Sequence, residues 1–328
     1  MKTIAIFNNK GGVGKTTYLY HIANILADCG IRTLMVDCDG QCNLTSYCLE
    51  DSEIQESWTD SGNSIYRVLL PVLETTGDIR HIRPNRLSDS LYLVPGDIDI
   101  SSFEDRLGET WGSAGTQIAS IRAQIAIYRY VKYAAEQCDA QVVLIDLGPN
   151  LGALNRAVLG GCDYFISPLS PDLFSIKGTQ NLGNKFVQWK EEWDNALRKW
   201  KGGEQGIGAD ELPHGHPVFL GYVVQQHNVR NNSERMTQGW KNFGKQVDQA
   251  VRKNIVDKLS PSCQVVEKEN YNLAQIPNLH SLIPYSLMAH KPVYKCGLAD
   301  GLRGGHITKA KEVVGLYDGI INELTNIL

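Results

Sequence analysis

Short apolar runs alternate with helix-like stretches along most of the chain. Six runs predict buried strands, at residues 3–7, 33–36, 91–94, 142–145, 164–167 and 218–224. Apolar side chains recur at helical spacing between them, as at Leu19, Ile22 and Leu26. Strands without polar alternation are buried on both faces, which is typical of parallel sheets covered by helices on each side. The pattern therefore predicts an α/β fold with a doubly wound, mostly parallel sheet.

The chain is long and apolar enough to form one large domain. It has 328 residues, of which 42% are hydrophobic, so we expect a single domain over residues 1–328 rather than a disordered chain. Two segments lack apolar periodicity and are expected to be surface insertions. Residues 50–63 are acidic and polar, and residues 201–217 are rich in glycine, proline and charge. In the second segment, His214 and His216 are interpreted as solvated loop histidines rather than as a metal site.

Charge, cysteines and hydropathy exclude several classes of protein. The formal net charge of −4 excludes a histone-like polycation, but it leaves room for DNA binding through a local basic patch. The eight cysteines form no CxxC pair, and the spacing of Cys38, Cys42 and Cys48 fits no zinc motif, so we expect reduced, structural cysteines. No uncharged apolar stretch approaches the roughly 18 residues of a membrane span, and the N-terminus lacks a signal-peptide pattern. We therefore expect a cytoplasmic protein.

A glycine-rich loop at residues 9–17, NKGGVGKTT, follows the first predicted strand and opens the first helix. This is the context of a phosphate-binding loop, in which glycines let backbone N–H groups approach phosphate oxygens and the helix N-terminus adds positive charge. Lys15 would reach the terminal phosphates, and the Thr16 hydroxyl would bind Mg²⁺. The strict motif fails at its first position, which is Asn9. The residues expected to contact the nucleotide in this loop are Gly11, Gly12, Val13, Gly14, Lys15, Thr16 and Thr17.

The loop and four further segments carry a family resemblance. With Lys10 as a second lysine, KGGVGKTT resembles the deviant Walker A box of the ParA/MinD group of P-loop ATPases. Four other segments resemble motifs of that group in the family's order: VDCDGQCNLT (36–45), VVLIDLGPNLGALNRA (142–157), DYFISPLSPDLFSIKGTQNL (163–182) and IPNLHSLIPYSLMAHKPV (276–293). The resemblance is closer to the ParA/Soj branch than to MinD. It implies a P-loop NTPase fold without an N-terminal helix-turn-helix domain.

The resemblance implies Mg²⁺-dependent ATP hydrolysis inside an ATP-sandwich homodimer. Lys10 would reach across the dimer to the partner's phosphates, as an arginine finger does in other NTPases. Asp39 matches the carboxylate that orients the attacking water, so the expected catalytic residues are Lys10, Lys15 and Asp39. Asp146 matches the Walker B acid, and Asp37 would support the same ion, so the expected metal-binding residues are Thr16, Asp37 and Asp146.

The resemblance also implies which residues form the adenine pocket, and it shows where the loops around the γ-phosphate depart from the family. Gln225, at the end of the 218–224 strand, and Pro277 would face the base.

Gly40 and Cys42 stand where the family has proline and glycine. A residue other than glycine at position 42 would be strained if the backbone there requires a positive φ. Gly148 departs from the family's D-x-P-P motif, and these changes put the hydrolysis rate in question.

Residues 228–258 contain the candidate DNA-binding surface, because ParA-type dimers bind DNA without sequence preference through Lys and Arg. On a helical wheel of about 100° per residue, Lys241, Lys245 and Arg252 lie within roughly 40° of one another beside an apolar stripe. An ordinary solvated helix face is the alternative, and Asp248 interrupts the basic row.

The C-terminal segment, residues 311–328, has an amphipathic pattern. Membrane-surface helices are usually basic, whereas this segment has three acidic residues and one lysine. The charge pattern favours a helix packed on the core over a membrane-binding helix.

Two classes of function fit these features, and a third does not. The first is a ParA-type ATPase acting in plasmid or chromosome partition or in cargo positioning, with a partner protein that stimulates hydrolysis. The alternative is a regulatory ATPase of the same type that controls an envelope, secretion or phage-defence assembly without DNA. An electron-transfer reductase is disfavoured, because the loop after Asp146 has none of the cysteines that an iron–sulfur cluster needs.

Overall fold

The computed structural model describes residues 1–202, 207–226, 244–279 and 281–328. Within these residues a sheet of eight strands forms the centre of the fold, in the order β3-β4-β2-β5-β1-β6-β7-β8. The strands are β1 (Lys2–Ile6), β2 (Thr33–Cys38), β3 (Asn85–Arg86), β4 (Leu91–Val94), β5 (Val142–Leu147), β6 (Tyr164–Leu169), β7 (Val218–Gln226) and β8 (Asn272–Pro277). Neighbouring strands are parallel, except that β3 is antiparallel to β4. The predicted α/β fold is confirmed.

The six predicted strands are all present, and two of them continue past an aspartate at which the apolar pattern ended. β2 runs through Asp37 to Cys38, and β5 runs through Asp146 to Leu147. The two aspartates are register partners on adjacent parallel strands, and both are fully buried. The backbone pairing therefore places two carboxylates side by side at the carboxyl edge of the sheet.

Helices cover both faces of the sheet. They are α1 (Lys15–Asp28), α2 (Asn43–Cys48), α3 (Asp51–Ser57), α4 (Ile65–Leu73), α5 (Ile100–Trp111), α6 (Ile118–Gln137), α7 (Ala153–Gly160), α8 (Leu173–Leu197), α9 (244–259, with a wider turn at Arg252–Val256), α10 (Ile283–Ala289), α11 (Gly305–Glu312) and α12 (Asp318–Asn326). Side chains of α4 to α9 build the core on one face. Those of α1 to α3 and of the C-terminal helices build it on the other, which is the predicted doubly wound arrangement.

The C-terminal segment packs against α1. Tyr317, Ile320 and Leu324 are fully buried, and the Tyr317 ring stacks on the His21 ring of α1 with centroids 5.6 Å apart. The predicted packing of the amphipathic C-terminal segment on the core is confirmed. In the described ranges no helix is both long and apolar enough to cross a membrane.

Residues 207–217 differ from the exposed loop that their composition predicts. Ile207 and Leu212 are buried against Trp193 and Trp200 in a small separate core at the end of α8. Two apolar residues five positions apart give no periodic signal, so the sequence pattern did not reveal this contact.

The acidic segment 50–63 is also attached to the body of the protein. It contains α3, whose Ile54 is buried. The indole Nε1 of Trp58 donates to the carbonyl oxygen of Gly96 at 2.9 Å. This contact anchors the segment beside the end of β4.

Candidate nucleotide-binding site

The loop between β1 and α1 has the backbone conformation of a phosphate cradle. Gly12 and Gly14 have φ angles of 73° and 82°, in the left-handed region that other residues rarely adopt. A Cβ on Gly14 would also stand 3.0 Å from the Tyr18 ring, so glycine is required there on two grounds. No side chain caps the N-terminus of α1, and its first N–H groups stay available to an anion.

Lys15 lies buried inside this loop. Its Nζ donates to the carbonyl oxygen of Lys10 at 3.3 Å. Burial lowers the pKa of the Lys15 ammonium, and the nearby Asp146 and Asp39 carboxylates oppose that shift. A buried cation at a helix N-terminus is suited to a ligand that carries several negative charges.

Asp146 and Thr16 form the polar wall next to Lys15. The Thr16 hydroxyl donates to Asp146 Oδ2 at 2.6 Å. The other carboxylate oxygen, Oδ1, is buried and has no hydrogen-bond partner among the described residues. Burial raises the pKa of Asp146 to about 8, and the neighbouring Asp37 adds to the shift. A buried carboxylate oxygen without a donor, beside a hydroxyl group, fits a site for a hard cation such as Mg²⁺.

The Asp37 carboxylate accepts hydrogen bonds from residues that follow β2. Its Oδ2 accepts from the backbone N–H of Thr45 at 2.9 Å and from the Thr45 hydroxyl at 2.7 Å, while Oδ1 accepts from the N–H of Asp39 at 3.2 Å. Burial raises the pKa of Asp37 to about 6. The structure thus brings Asp37 beside Asp146 as the sequence predicts, but both of its oxygens already have protein donors.

Asp39 stands at the start of the loop between β2 and α2. Its Oδ1 accepts from the N–H of Gln41 at 3.1 Å. Cys42, which caps α2, has a φ of 50°, so this position does require the left-handed conformation. A Cβ on Gly148 would lie 3.3 Å from Asp39 Oδ1, which brings the loop after β5 against the loop after β2. A side chain at position 148 would therefore crowd the Asp39 carboxylate.

The loop after β5 is fixed by a buried asparagine that the sequence analysis did not single out. Asn155, in the first turn of α7, donates from Nδ2 to the carbonyl oxygens of Gly148 at 2.9 Å and Asn150 at 2.7 Å. The motif GALNRA contained this residue, but its side-chain direction became evident only from the fold. Asn155 determines the path of the loop that faces Asp39.

Lys10 is bound within its own chain. Its Nζ forms an ion pair with Asp172, whose other oxygen caps α8 by accepting from the N–H of Ser175 at 2.9 Å. Burial works against the shift, but the Lys10 ammonium holds the pKa of Asp172 below its usual range. Leu173 and Phe174, which follow Asp172, are 62% and 77% exposed. A cation and two apolar side chains therefore share one exposed edge of the site.

The two residues predicted to face adenine lie at neighbouring strand ends. Gln225 pairs with Ile276 at the carboxyl ends of β7 and β8, one position before Pro277. The hydroxyl of Ser170 donates to Gln225 Oε1 at 3.5 Å. The structure therefore brings Gln225 and Pro277 together at the same edge of the sheet as the glycine-rich loop.

Comparisons with known proteins agree with this geometry. A family model described as an AAA domain matches residues 1–199. The sporulation initiation inhibitor protein Soj of Bacillus subtilis is 27% identical over 184 residues, which are 56% of this chain and 64% of Soj. The chromosome partitioning protein ParA of Caulobacter vibrioides is 29% identical over 188 residues, 56% of this chain and 61% of that protein. The chain belongs to the ParA/MinD group of P-loop ATPases.

The match covers less than two thirds of the length of both Soj and ParA. Solved structures extend the likeness in fold. Protein DIP2308 of Corynebacterium diphtheriae is 27% identical, with a TM-score of 0.66 over 88% of this chain and 97% of that one. An ATP complex of a McdA variant from Cyanothece has a TM-score of 0.57 at 16% identity, over 96% of this chain and 97% of that one. The last likeness concerns the fold alone.

The described residues offer few side chains that together could bind a metal ion. Across the described ranges, no group of three or more His, Cys, Asp or Glu side chains is placed to hold an ion. A cation bound beside Thr16 and Asp146 would therefore need ligands other than such a cluster. Phosphate oxygens and water supply the rest of the shell around Mg²⁺ in many nucleotide sites.

The basic surface of the ATPase is described only in part. Lys241 lies outside the described residues. Lys245 is exposed, whereas Arg252 donates from Nε to Asp248 Oδ2 at 3.0 Å and from Nη2 to the carbonyl oxygen of Glu269. One of the two described members of the predicted basic row is thus already paired.

Proposed function

We propose that this ATPase binds ATP with Mg²⁺ in the loop of residues 9–17 and hydrolyses it as a dimer. The observation that supports this most directly is the buried, unpartnered Oδ1 of Asp146 beside the Thr16 hydroxyl and Lys15. Three acidic side chains next to a phosphate cradle require a cation to offset their charge. Thr16 and Asp146 would hold that cation, and Asp37 would keep Asp146 in place from the adjacent strand.

Each side chain has a defined task in this proposal. Lys15 leaves the Lys10 carbonyl and binds the terminal phosphates, while the N–H groups of residues 11–17 bind the other phosphate oxygens. Bound Mg²⁺ supplies further neutralisation of the phosphate charge. Asp39 orients the attacking water, and the loop that Asn155 fixes limits where that water can lie. Gln225 and Pro277 flank the base.

On dimerisation, the Lys10 side chain would release Asp172 of its own chain and bind the partner subunit. The lysine exchanges the Asp172 carboxylate for the phosphates of the nucleotide in the second subunit. Phosphoryl transfer depends mainly on positioning and charge neutralisation, so a cation delivered by the partner makes hydrolysis conditional on dimerisation. The exposed Leu173 and Phe174 beside Lys10 give the dimer an apolar rim to bury.

We propose partition or cargo positioning as the role of this switch, with a partner protein that stimulates hydrolysis. The names of the similar proteins, a chromosome partitioning protein and the sporulation inhibitor Soj, support this role. DNA would bind without sequence preference through Lys241, Lys245 and Arg252 in the ATP-bound dimer.

A second candidate is a regulatory ATPase that acts on another protein assembly without DNA. The pairing of Arg252 with Asp248 favours it, because a guanidinium that is already bonded offers less to a phosphate backbone. In this case the ATP dimer would recognise a protein partner instead of DNA.

Binding of the Asp39→Ala variant to random-sequence duplex DNA separates the two candidates. The variant should accumulate as an ATP-bound dimer, and binding is compared with ATP–Mg²⁺ and with ADP at two salt concentrations. ATP-dependent binding that weakens with salt supports partition or positioning. A stable dimer without DNA binding supports the regulatory role. The Lys15→Ala variant is the control, because it should bind neither nucleotide productively; a Lys15→Ala protein with normal turnover would overturn the proposed site.

A further inference from the structure

A hydrogen bond between two hydroxyl groups joins α2 to the first turn of α1. Tyr47, in α2, has its hydroxyl oxygen 3.2 Å from Thr17 Oγ1. Thr17 is the last residue of the glycine-rich loop that we expect to contact the nucleotide. It is half-buried, whereas Tyr47 is only 5% exposed. The contact therefore links a core side chain of α2 to a residue at the edge of the nucleotide site.

The Tyr47 ring is fixed by its packing. It lies against the Tyr20 ring, with centroids 4.9 Å apart and an angle of 30° between the ring planes. Burial raises the pKa of the Tyr47 hydroxyl, and the hydrogen bond with Thr17 opposes that shift. The phenol consequently keeps its proton at neutral pH and can act as a donor.

Thr17 is held at a second point as well. Its backbone carbonyl oxygen lies 2.7 Å from His21 Nδ1, one turn further along α1. With the carbonyl bound to His21 and the side-chain oxygen bound to Tyr47, the direction of the hydroxyl proton is what a ligand can still change.

That direction follows from the number of protons available. A threonine hydroxyl has one proton to donate and two lone pairs, and an ionised phosphate oxygen only accepts. Thr17 can therefore bond a phosphate oxygen only by donating its proton, and its lone pair then accepts the proton of Tyr47. Hydrogen bonds linked in such a chain strengthen one another where the local dielectric is low.

We propose that Tyr47 is a positioning residue for the nucleotide: it donates to Thr17 Oγ1 and turns the Thr17 proton toward a phosphate oxygen. This inference rests on the nucleotide binding proposed above for residues 9–17. It adds α2 to the binding site, and the same helix carries Thr45, which bonds Asp37 at 2.7 Å. A bound phosphate would thus be connected through two hydrogen bonds to the helix that follows the Asp39 loop.

Tyr47→Phe tests this role, because it removes the hydroxyl and keeps the ring. Calorimetric titration with ATP–Mg²⁺ should show an affinity about three- to tenfold below that of wild type, the loss expected for one hydrogen bond. The turnover number at saturating ATP should change by less than about twofold, because a bond to a phosphate that is present before and during the reaction affects KM more than kcat.

Tyr130→Phe is the matched control. Tyr130 is a fully buried tyrosine of α6, and its hydroxyl donates to the carbonyl oxygen of Ile82 at 2.9 Å. It belongs to the core on the opposite face of the sheet from Tyr47. The control loses one tyrosine hydrogen bond away from the nucleotide site, so it should bind ATP–Mg²⁺ with wild-type affinity.

A double-mutant cycle with Thr17→Val separates positioning from a general structural effect. If Tyr47 acts through Thr17, the variant that combines Tyr47→Phe and Thr17→Val should bind no more weakly than Thr17→Val alone. Losses that multiply would overturn the proposal, and so would wild-type affinity in Tyr47→Phe beside an impaired Thr17→Val. Either of these results leaves the proposed nucleotide site intact. Absence of ATP binding to the wild-type protein would overturn that site and this inference together.

Folding of each variant is checked by its circular dichroism spectrum. If Tyr47→Phe does not fold, carbon NMR of the tyrosine Cζ atoms in the wild-type protein decides. The Tyr47 signal should shift on saturation with ATP–Mg²⁺, because its proton is then fixed toward Thr17, and the Tyr130 signal should not. A Tyr47 signal that stays in place would overturn the proposal.

Discussion

Gly96 is held against the Asp37 carboxylate by a hydrogen bond from its N–H to the Thr45 hydroxyl at 2.7 Å. A Cβ at this position would lie 2.8 Å from the carboxylate, in a fully buried pocket. We expect Gly96→Ala to lower the free energy of unfolding by about 1–3 kcal/mol, because an added methyl group must displace packed neighbours. Urea denaturation measures this change.

Gly108 provides the matched control at the same scale. It lies exposed in the interior of α5, and a Cβ there would meet no atom within 4 Å. Gly108→Ala should therefore raise the free energy of unfolding by about 0.5–1 kcal/mol through the loss of backbone freedom in the unfolded chain. If Gly96→Ala were as stable as Gly108→Ala, the close packing around Asp37 would be wrong.

At the scale of elements, His21 joins α1 to the C-terminal segment. Its Nε2 accepts from the N–H of Val293 at 3.1 Å, and its Nδ1 lies 2.7 Å from the carbonyl oxygen of Thr17, so the ring is neutral with the proton on Nδ1. Burial lowers the pKa of His21 from 6.5 to about 4. The folded state therefore binds fewer protons than the unfolded state between these two values.

The stabilisation from neutral His21 is fully present above pH 6.5 and is lost as the pH falls toward 4. The shift corresponds to about 3 kcal/mol of unfolding free energy. His21→Gln removes the titrating group, so its unfolding free energy should fall less between pH 7 and 5 than that of the wild-type protein. Both proteins keep the buried aspartates, so the difference between their curves of unfolding free energy against pH reports the contribution of His21. Parallel curves would contradict this assignment.

The N-terminus of α8 is the second element with a testable role. Asp172 both caps the helix and pairs with Lys10, and Asp172→Asn keeps the cap while removing the negative charge. A partly exposed ion pair contributes about 0–1 kcal/mol, so freeing Lys10 should raise the ATP-dependent dimerisation constant by up to about fivefold and the dimer fraction with it. Sedimentation in ATP measures this fraction. Lys10→Ala should lower it, and a lower fraction in Asp172→Asn would contradict the exchange of partners.

At the scale of the whole molecule, the pattern of apolar and polar residues predicts what is contiguous, but by itself it does not show which distant residues folding brings together. The glycine-rich loop, α1 and the strands were predictable because each is a local pattern. The adjacency of Asp37 and Asp146 depends on the strand order β2-β5-β1, which apolar runs do not specify, so only the family resemblance predicted it. The pair formed by Lys10 and Asp172 joins positions 162 residues apart. Within the predicted exposed loop of residues 201–217, the contact of Ile207 and Leu212 with a tryptophan core involves only isolated apolar residues and gives no periodic signal.

The buried acid of the site connects ligand binding to the stability of the whole chain. Without a cation, Asp146 buries a carboxylate beside Asp37, and its Oδ1 has no partner among the described residues. Asp146→Asn replaces the acid by a neutral amide of nearly the same shape. We expect it to raise the free energy of unfolding without ligand by about 1–3 kcal/mol, because folding at neutral pH obliges the wild-type acid either to take up a proton or to stay charged in a buried site, and the amide does neither. Urea denaturation at neutral pH measures the gain.

The same substitution should remove the stabilisation that ATP–Mg²⁺ gives to the wild-type protein. A ligand that binds only the folded state at about 100 times its dissociation constant adds about 2.7 kcal/mol. Thermal unfolding with and without ATP–Mg²⁺ should therefore show a large shift for wild type and little for Asp146→Asn. Asp39→Asn, at a partly exposed carboxylate, should keep the ligand shift without the gain in ligand-free stability. If Asp146→Asn were less stable than wild type without ligand, the carboxyl group would stabilise the fold itself. The proposal that Asp146 serves mainly to bind the cation would then be wrong.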